Sequence, residues 1–424
     1  MSKRILCVVD KYFPNESANT ICAEKIMNIF KQKGYLVDYY VIKNDRKEKK
    51  YFKEDGSCVF YAKNFFVNLS LIAKRKLKVR TYSDAPKKLK GKLDAIGKIF
   101  TLGKVKTSNW IVDTLNHRSA CRFFKKIHKR TPYEYILSFS APFAMTIGAN
   151  KINKTLKTAK WFAFFLDPFV YNCSLPDDIK TIAKRKNLAN KILKNTKTVF
   201  CAKGILEENE RNNFRLNSSI KIKEFHLPNL EVRKNIVNNA NLNKETISCV
   251  FAGKFYEDIR NPKKMFEFFE KTDSEINLTT IGDGCSEIVS QFQDLLGKRY
   301  NKISRVPYSQ CQELLNNSDI LINLGNTVTN QVPSKVFEYI ASGKPIVNFY
   351  FNDNDSSLFY LKKYSLCLNI NVNHYNQNEI NLFNEFCKKN AGKVISFEEA
   401  TKDLKDCISN NVIEDIFDKI TSNN

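Results

Sequence analysis

The stretch NQVPSKVFEYIASGKPIV, residues 330–347, predicts a loop, a helix, a turn and a buried strand, in that order. Pro333 suits the first helical position, because proline has a fixed φ and no amide hydrogen to donate, and Gly343 is a typical helix end. Glu338 lies four positions after Ser334 and three after Lys335, so all three can share one helix face. The free N–H groups of a helix start favour an anion, here one turn away from a carboxylate that can accept hydrogen bonds from hydroxyl groups. That is the arrangement that a nucleotide-sugar site needs.

The same stretch resembles the donor-site signature of the retaining glycosyltransferases of family 4, and especially a branch that builds bacterial surface polysaccharides. That family has the two-domain GT-B fold and carries two glutamates eight positions apart. Glu338 matches the second glutamate, and the resemblance implies that it accepts hydrogen bonds from the ribose of the donor. Asn330 stands at the first position, which contacts the transferred sugar, and an amide there keeps the hydrogen bonding and loses the charge. Ser334 and Lys335 fall in the first turn, on the side of the diphosphate. Taken alone, the stretch also fits an ordinary α/β helix with a good start and stop.

Length and composition describe a globular protein with two domains. The chain has 424 residues, more than one typical domain, and 43% of them are hydrophobic and 27% charged. It has no window of about 20 apolar residues that would predict a transmembrane helix, and its amino-terminal apolar run is too short for a secretory signal. The twelve cysteines form no CxxC pair and the four histidines are far apart. This pattern predicts reduced, buried thiols in a cytoplasmic protein without a metal site.

The net charge of +25 fits a polyanion, an anionic lipid or a phosphorylated substrate as partner, and it equally fits a biased genome. The segment 43–110 is basic and irregular, and between Leu71 and Lys106 it has twelve Lys or Arg against Asp84 and Asp94. Because apolar residues are threaded among these charges, the segment suits either an anionic membrane surface or a solvated helix pair with an insertion. The cations form no aromatic stacking platform, which argues against a nucleic-acid partner.

The beginning of the chain predicts a strand–helix–strand unit, with a strand at Arg4–Val9, a helix at Thr20–Lys33 and a strand at Tyr35–Ile42. In family 4 enzymes a glycine-rich turn after the first strand approaches the donor diphosphate. The corresponding turn here contains Ser17 and Asn19 and no glycine. The resemblance implies that this turn lies near the donor.

A strand predicted at 161–166 is followed by Asp167, Pro168 and Phe169. Ligands of open α/β sheets collect at the carboxyl ends of strands. The Asp-Pro-aromatic element resembles one on the acceptor side of the polysaccharide-building branch, which implies that Asp167 accepts or orients the attacking hydroxyl. An aspartate before a proline can equally cap a turn, so both interpretations remain open.

Two cations follow the first strand predicted in the second half of the chain, at Ser248–Ala252. Family 4 enzymes place one basic residue just after a glycine at this point and another several residues later, both on the donor diphosphate. Lys254 fits the first position, and Arg260 fits the second in competition with Lys263 and Lys264. Two such cations would stabilise the leaving group as its charge develops.

Two further strand ends complete the donor side, and a strand predicted at Ile320–Leu324 leads to the stretch quoted first. Gly282 follows a strand predicted at Ile276–Ile281, and Val306 lies in a segment that resembles the edge where the family's backbone groups read the nucleobase. The donor-binding residues that the resemblance implies are therefore Lys254, Arg260, Gly282, Val306, Asn330, Ser334, Lys335 and Glu338. The implied catalytic residues are Asp167, Lys254 and Asn330.

These features predict an α/β protein of the GT-B fold, with two Rossmann-like domains whose parallel sheets face each other across a cleft. We expect an acceptor-side domain at 1–229, a donor-binding domain at 230–396, and a terminal helix within 397–424 that crosses back to the first domain. The implied activity is retaining transfer of a sugar from a nucleotide diphosphate, UDP by family habit, to a hydroxyl of a glycan or lipid-linked acceptor in bacterial surface polysaccharide assembly. Neither a cofactor nor a metal is expected, and the expected location is the cytoplasm or the inner face of the plasma membrane.

Three alternatives stay open at this point. A nucleotide-sugar epimerase shares the GT-B architecture, although it has no need of a basic, lipid-facing first domain. A catalytically inactive GT-B protein is suggested by Asn330 and by the turn without glycine. A basic nucleic-acid-binding protein is permitted by charge alone.

Overall fold

A computed structural model describes residues 3–12, 17–42, 50–62, 117–140, 143–171, 178–211, 215–233 and 245–422. The chain divides into two compact units, Met1–His226 with Ile413–Asn424, and Leu227–Val412. We call them the first unit and the second unit. The boundary predicted near residue 230 lies close to the division at Leu227, and each unit is organised around one sheet.

The first unit has an eight-stranded sheet. Its strands are β1 (Arg4–Val9), β2 (Leu36–Ile42), β3 (Tyr51–Phe52), β4 (Cys58–Ala62), β5 (Tyr133–Ser140), β6 (Lys160–Phe165), β7 (Thr198–Ala202) and β8 (Ile222–Phe225). They lie in the order β3–β4–β2–β1–β5–β6–β7–β8. The β3–β4 pair is antiparallel and the other neighbouring pairs are parallel. Within residues 1–226, the described helices are α1 (Ala18–Gln32), α2 (Arg118–His128), α3 (Phe143–Leu156), α4 (Ile179–Leu193) and α5 (Ile205–Arg211).

The sequence of β1 shows why it occupies the middle of this sheet. All six of its residues are buried, and Cys7 lies opposite Tyr39 of β2 on one side and Leu137 of β5 on the other. A central parallel strand is covered on both faces, so it needs a continuous apolar run rather than alternation. The run from Ile5 to Val9 meets this requirement.

A buried carboxylate links four strands of the first unit. Asp38 of β2 is fully buried and accepts a hydrogen bond of 2.6 Å from Arg4 Nη1 of β1. The same carboxylate accepts from the hydroxyl of Tyr133 in β5 and, at 2.7 Å, from the backbone N–H of Cys58 in β4. A buried charge is tolerated when it is paired and hydrogen-bonded in this way. Asp38 therefore fixes the positions of β1, β2, β4 and β5 relative to one another.

The second unit has a six-stranded sheet in which all neighbouring strands are parallel. Its strands are β9 (Ile247–Ala252), β10 (Ile276–Ile281), β11 (Tyr300–Ile303), β12 (Ile320–Leu324), β13 (Ile346–Tyr350) and β14 (Cys367–Asn371). They lie in the order β11–β10–β9–β12–β13–β14. The chain winds outward from β9 on one side and from β12 on the other, so the strand order reverses between these two strands. Open α/β sheets bind ligands at such a switch point, outside the carboxyl ends of the strands.

The helices of the second unit include the one predicted at 333–343, which is shorter than expected. These helices are α6 (Lys263–Glu270), α7 (Ser286–Leu296), α8 (Tyr308–Asn317), α9 (Lys335–Ala341), α10 (Leu358–Leu361), α11 (Gln377–Asn390) and α12 (Phe397–Ala400). The prediction that Pro333 is the first helical residue was wrong. A turn closed by a 3.1 Å hydrogen bond from Val336 N to Pro333 O precedes the helix, and Ser334 is its N-cap.

Gly343 ends this segment as predicted, for a reason that the structure makes explicit. Its φ is +68°, which favours glycine, and a Cβ atom there would lie 2.0 Å from the backbone oxygen of Ile395. The next residue, Lys344, is buried, and its Nζ donates a 2.6 Å hydrogen bond to the backbone oxygen of Ser318. Helix α9 is therefore held at its carboxyl end by main-chain packing.

The end of the chain differs from the single helix predicted over 397–420. Helix α12 ends at Ala400, a 3₁₀ turn follows at Lys405–Cys407, and α13 covers Ser409–Thr421. The backbone N–H of Ser409 donates to Leu230 O at 2.8 Å, which a residue inside a continuous helix could not do. Further along α13, Phe417 packs against Phe30 of α1 with ring centroids 4.9 Å apart. The chain thus stays with the second unit as far as Val412.

Only part of the basic segment 43–110 is described. Within it, β3 and β4 form an antiparallel pair that extends the first sheet, so residues 50–62 are not irregular as predicted. The stretch from Leu71 to Lys106, on which the membrane hypothesis rests, lies outside the described residues, as does the linker predicted at Asn235–Lys244. No helix in the described part of the chain is both long enough and apolar enough to span a membrane.

Candidate functional site

The carboxyl ends of β9 and β10 meet through two glycines of the second unit. Gly253 N donates to Ile281 O, and Gly282 N donates to Ile303 O, both at 2.9 Å. Gly282 has a φ of +133°, and a Cβ atom on it would lie 2.1 Å from the backbone oxygen of Gly253. Glycine is therefore required for this approach of two backbones. The predicted residue Gly282 lies beside the strand that begins the switch point.

Arg260 lies at the switch point itself. Its Nε and Nη2 donate hydrogen bonds of 3.0 and 2.8 Å to Oδ1 of Asn326, which follows β12. A backbone bridge with Tyr256 folds the intervening loop back, so that a residue that follows β9 reaches the end of β12. Burial lowers the pKa of the Arg260 guanidinium from its ordinary value. The result is a cation in a poorly hydrated position at the ligand-binding edge of the sheet.

Lys254 lies on the same loop and is exposed. Its Nζ lies 4.9 Å from the centroid of the Tyr256 ring, a typical cation–π distance. The two competitors for the second cationic position differ from Arg260. Lys263 and Lys264 are exposed at the start of α6, and Lys263 faces Glu267 of its own helix at 3.8 Å. Of the three, Arg260 is the one whose side chain reaches β12.

Glu338 of α9 is partly buried and is surrounded by hydrogen-bond donors. Arg233 Nη2 and Gln312 Nε2 each lie 3.3 Å from its Oε2, and Lys335 Nζ lies 3.6 Å from the same atom. The predicted Lys335–Glu338 proximity on one helix face is therefore present. Ser334 is exposed one position before this helix.

Two polar residues are buried in the loops after β12 and β13, namely Asn330 after β12 and Asp355 after β13. Asn330 is only 5% exposed. In the same region Asp355 is 3% exposed, its Oδ1 accepts from Ser357 N at 2.8 Å, and its Oδ2 has no hydrogen-bond partner in the described part of the chain. A Cβ atom on Gly325 would lie 2.4 Å from that Oδ2, so this carboxylate needs a glycine beside it. Burial raises the pKa of Asp355 to about 6.

Solved structures of glycosyltransferases share this architecture over the whole chain. A lipopolysaccharide outer core galactosyltransferase, WaaB in its apo form, matches 99% of this chain and 100% of its own with a TM-score of 0.62 and 13% identity. Sucrose-phosphate synthase from Thermosynechococcus elongatus matches 100% of both chains with a TM-score of 0.61 and 11% identity. Anabaena HepE in complex with UDP and glucose matches 99% of this chain and 100% of its own with a TM-score of 0.58 and 9% identity.

The chain has the GT-B fold. No protein-family model and no curated protein matches its sequence. The fold class predicted from the sequence is thus confirmed by the two parallel sheets and by these solved structures, whereas the residues assigned to the donor and the acceptor stay predictions.

The predicted residues of this GT-B chain fall into two groups, one in each unit. In the first unit, Ser17 is the N-cap of α1 and accepts from Thr20 N at 3.2 Å, and its hydroxyl lies 2.7 Å from Asp10 Oδ1. Asn19 belongs to the first turn of α1 and donates from Nδ2 to Asp167 Oδ2 at 3.1 Å. The prediction that Ser17 and Asn19 both lie in a turn before the helix was therefore wrong for Asn19, which is helical. The structure does bring Asn19 and Asp167 together.

Asp167 follows β6 at the carboxyl edge of the first sheet, as the sequence predicts. Burial raises its pKa, the hydrogen bond from Asn19 lowers it, and the negative charge of Asp10 raises it. A carboxylate in this state binds a proton or a hydroxyl hydrogen more readily than an exposed one does.

In the second unit the predicted residues line the sheet edge and the region of α9. Val306 is half-buried and packs against the cluster that contains Leu230 and Phe337. The sequence reasoning missed five polar residues around them, namely Arg233, Tyr308, Gln312, Asn326 and Asp355. A signal existed for Asn326, since it stands two positions after a predicted buried strand. For the other four the sequence offers no comparable signal, because they reach this region by tertiary folding.

Proposed function

We propose that the protein is a retaining glycosyltransferase that moves a sugar from a nucleotide diphosphate, UDP in the first instance, to a hydroxyl of a glycan or lipid-linked acceptor. The observation that carries this proposal is the polar edge of the second sheet. Two cations, Lys254 and Arg260, lie on the loop after β9, and Arg260 reaches the switch point. Glu338 lies on α9 of the same unit, where it can accept hydrogen bonds.

The proposed roles are those that the resemblance to family 4 implies for these positions. Lys254 and Arg260 stabilise the diphosphate as negative charge develops on the leaving group. Glu338 accepts from ribose hydroxyls, and Asn330 contacts the transferred sugar through its amide. Gly282, Val306, Ser334 and Lys335 complete the donor side. The neighbours that support this donor include HepE, whose structures contain UDP or UDP-glucose.

The acceptor side of the proposal belongs to the first unit. Asp167 accepts a hydrogen bond from the attacking hydroxyl, and Asn19 orients the carboxylate through its 3.1 Å hydrogen bond. The resemblance to family 4 implies that Ser17, the N-cap of α1, lies near the donor. Donor binding in this proposal uses protein cations and requires no metal ion. The biological setting is assembly of a bacterial surface polysaccharide, in line with the lipopolysaccharide enzymes among the similar structures.

The first experiment is a thermal-shift screen of the purified protein against UDP-, GDP- and dTDP-sugars. A stabilising sugar nucleotide is then used with candidate acceptors, and the anomeric configuration of the product is read by NMR. Retention supports the proposed reaction, and inversion refutes it. Turnover of the donor without transfer to any acceptor favours the epimerase or a hydrolase instead, and activity abolished by EDTA and restored by a divalent cation contradicts metal-free donor binding.

The site assignment is tested with Glu338→Ala. Loss of a hydrogen bond from a hydroxyl to a charged group lowers donor affinity roughly 10- to 100-fold. Glu267→Ala is the matched control, because Glu267 also faces a lysine of its own helix, at 3.8 Å, and is not among the residues assigned to the donor. If Glu338→Ala binds the donor as well as the control does, Glu338 is not in the site.

A further inference from the structure

The contacts of Glu338 are concentrated on one of its two carboxylate oxygens. Arg233, Gln312 and Lys335 all approach Oε2, at 3.3, 3.3 and 3.6 Å. In the described residues no donor lies within hydrogen-bond distance of Oε1. The glutamate side chain is 26% exposed, so a ligand can reach it. The carboxylate is thus fixed through one oxygen and open through the other.

Arg233 is the least expected of these three partners, since it lies about a hundred positions before the donor-site signature in the sequence. Its Nη2 lies 3.3 Å from Glu338 Oε2 and 3.3 Å from the hydroxyl of Tyr308, the first residue of α8. The arginine side chain is only 17% exposed. One guanidinium therefore joins two separate helices of the second unit, α8 and α9.

The backbone that carries Arg233 is itself anchored. Leu230 is fully buried and forms a parallel bridge with Ile408, and its carbonyl accepts from Ser409 N at 2.8 Å. Ser409 also donates from Oγ to the side chain of Glu231 at 3.0 Å. A side chain on a fixed backbone loses less freedom when it forms a directed hydrogen bond, which makes it suitable for orienting another group.

We infer that Arg233 is a positioning residue for nucleoside recognition. It holds Glu338 by Oε2, and Tyr308 braces its guanidinium. Oε1 of Glu338 therefore presents a fixed acceptor to one ribose hydroxyl. This inference rests on the proposed function and adds the specificity of the site, namely preference for a ribonucleotide over its deoxy counterpart. The competing explanation is a surface ion pair of little energetic consequence. The two differ in one measurable respect. A positioning role changes the ratio of affinities for ribose and deoxyribose nucleotides, whereas a surface ion pair leaves that ratio unchanged.

The experiment measures binding of UDP, 2′-deoxy-UDP and 3′-deoxy-UDP by calorimetry, with the GDP series in parallel. The wild-type protein is expected to prefer the ribonucleotide over at least one deoxy form by about tenfold, the value of one hydrogen bond to a charged group. In Arg233→Gln this preference falls to roughly threefold or less, because UDP affinity drops while affinity for the deoxy form is kept. Arg233→Lys, which retains one donor and the charge, restores part of the preference.

Two further variants separate positioning from folding. Tyr308→Phe keeps the ring and removes only the hydroxyl that braces Arg233, so it lowers the same preference without disturbing the fold. Lys388→Gln removes a comparable ion pair of the second unit, 2.6 Å from Asp273, and keeps the wild-type preference. Thermal unfolding of each variant checks that the protein is folded.

Each remaining result overturns the inference in a distinguishable way. If Arg233→Gln weakens UDP and the deoxy nucleotides by the same factor, Arg233 has no role in reading the ribose and the nucleotide site stands. If the wild-type protein binds UDP and both deoxy forms equally, no ribose hydroxyl is recognised by Glu338. If it binds none of the nucleotides, the proposed function fails together with the inference.

Discussion

Replacing Asp355 by asparagine tests the electrostatics of the second unit through the pH dependence of its stability. Asp355 is 3% exposed, and only its Oδ1 is hydrogen-bonded in the described residues. Burial raises its pKa from 3.8 to about 6, although the hydrogen bonds from Ser357 and the charge of Arg260 lower it. Because the folded-state pKa is above the unfolded one, the native state binds the proton first as the pH falls. The free energy of unfolding therefore rises as the pH falls through 6, and the gain is complete below the unfolded value.

The magnitude follows from the two pKa values. The full effect is about 3 kcal/mol for a difference of roughly two pKa units. Most of it would appear near pH 4, where other carboxylates also titrate. Between pH 7.5 and pH 5 the Asp355 contribution is about 1.4 kcal/mol, which is measurable and avoids general acid unfolding.

The assay is urea unfolding followed by far-UV circular dichroism for wild type and Asp355→Asn at pH 7.5 and pH 5. The stability of the wild type relative to the variant should increase by about 1.4 kcal/mol at the lower pH, since groups common to both proteins cancel. Asp353→Asn is the matched control, because Asp353 lies in the same loop and is exposed. If wild type and Asp355→Asn differ in free energy of unfolding by the same amount at both pH values, Asp355 is not a buried carboxylate that is charged at pH 7.5.

Three other predictions concern catalysis, folding and membrane binding. Lys254→Ala should lower kcat about 100-fold and change donor KM much less, because the charge of Lys254 acts on the leaving group. The control Lys263→Ala should leave both kinetic constants near wild type. Equal loss of donor binding and turnover in Lys254→Ala would contradict this role. Asp38→Asn should destabilise the first unit by about 3–5 kcal/mol, because it leaves Arg4 buried without its counter-charge. Unfolding is followed by the fluorescence of the buried Trp161. A loss of stability below about 1 kcal/mol would contradict the structural role of the Arg4–Asp38 pair. Replacing several cations between Lys74 and Lys92 by glutamine should reduce sedimentation of the protein with anionic liposomes. Sedimentation with neutral liposomes, the control, should stay unaltered. If sedimentation with anionic liposomes is also unchanged, the membrane hypothesis is wrong.

The alternating strand and helix pattern was readable from sequence because each element is recorded in local periodicity. The strand predicted at Ile320–Leu324 is present with those bounds, and all five of its residues are buried. A parallel strand covered on both faces is apolar at nearly every position, so local sequence is enough to locate it. Its one polar residue, Asn323, is buried and donates to Asn348 Oδ1 of β13 at 2.7 Å. The terminal segment shows the limit of this approach. Its break between Ala400 and Ser409 depends on the hydrogen bond to Leu230, a residue far away in the chain.

The candidate site was predictable to the same degree. Gly282 and Glu338 stand at strand and helix positions that the sequence locates, and their surroundings could be anticipated from the order of strand ends. Arg233 and Asp355 could not, since each contributes through a contact across elements: Arg233 lies 3.3 Å from Glu338, and Asp355 lies beside Gly325. Nothing in local composition distinguishes these polar residues from ordinary loop residues.

The sequence by itself determined the strands β1, β2, β6, β9 and β10, the first helix and the glycine at position 343, because apolar periodicity and backbone conformation are local properties. The tertiary structure alone decided which oxygen of Glu338 is occupied and which cation after β9 reaches β12. The physical reason is that hydrogen bonds and charge pairs act over about 3 Å in space, while the residues that form them are 66 positions apart in the chain for Arg260 and Asn326 and 105 for Arg233 and Glu338.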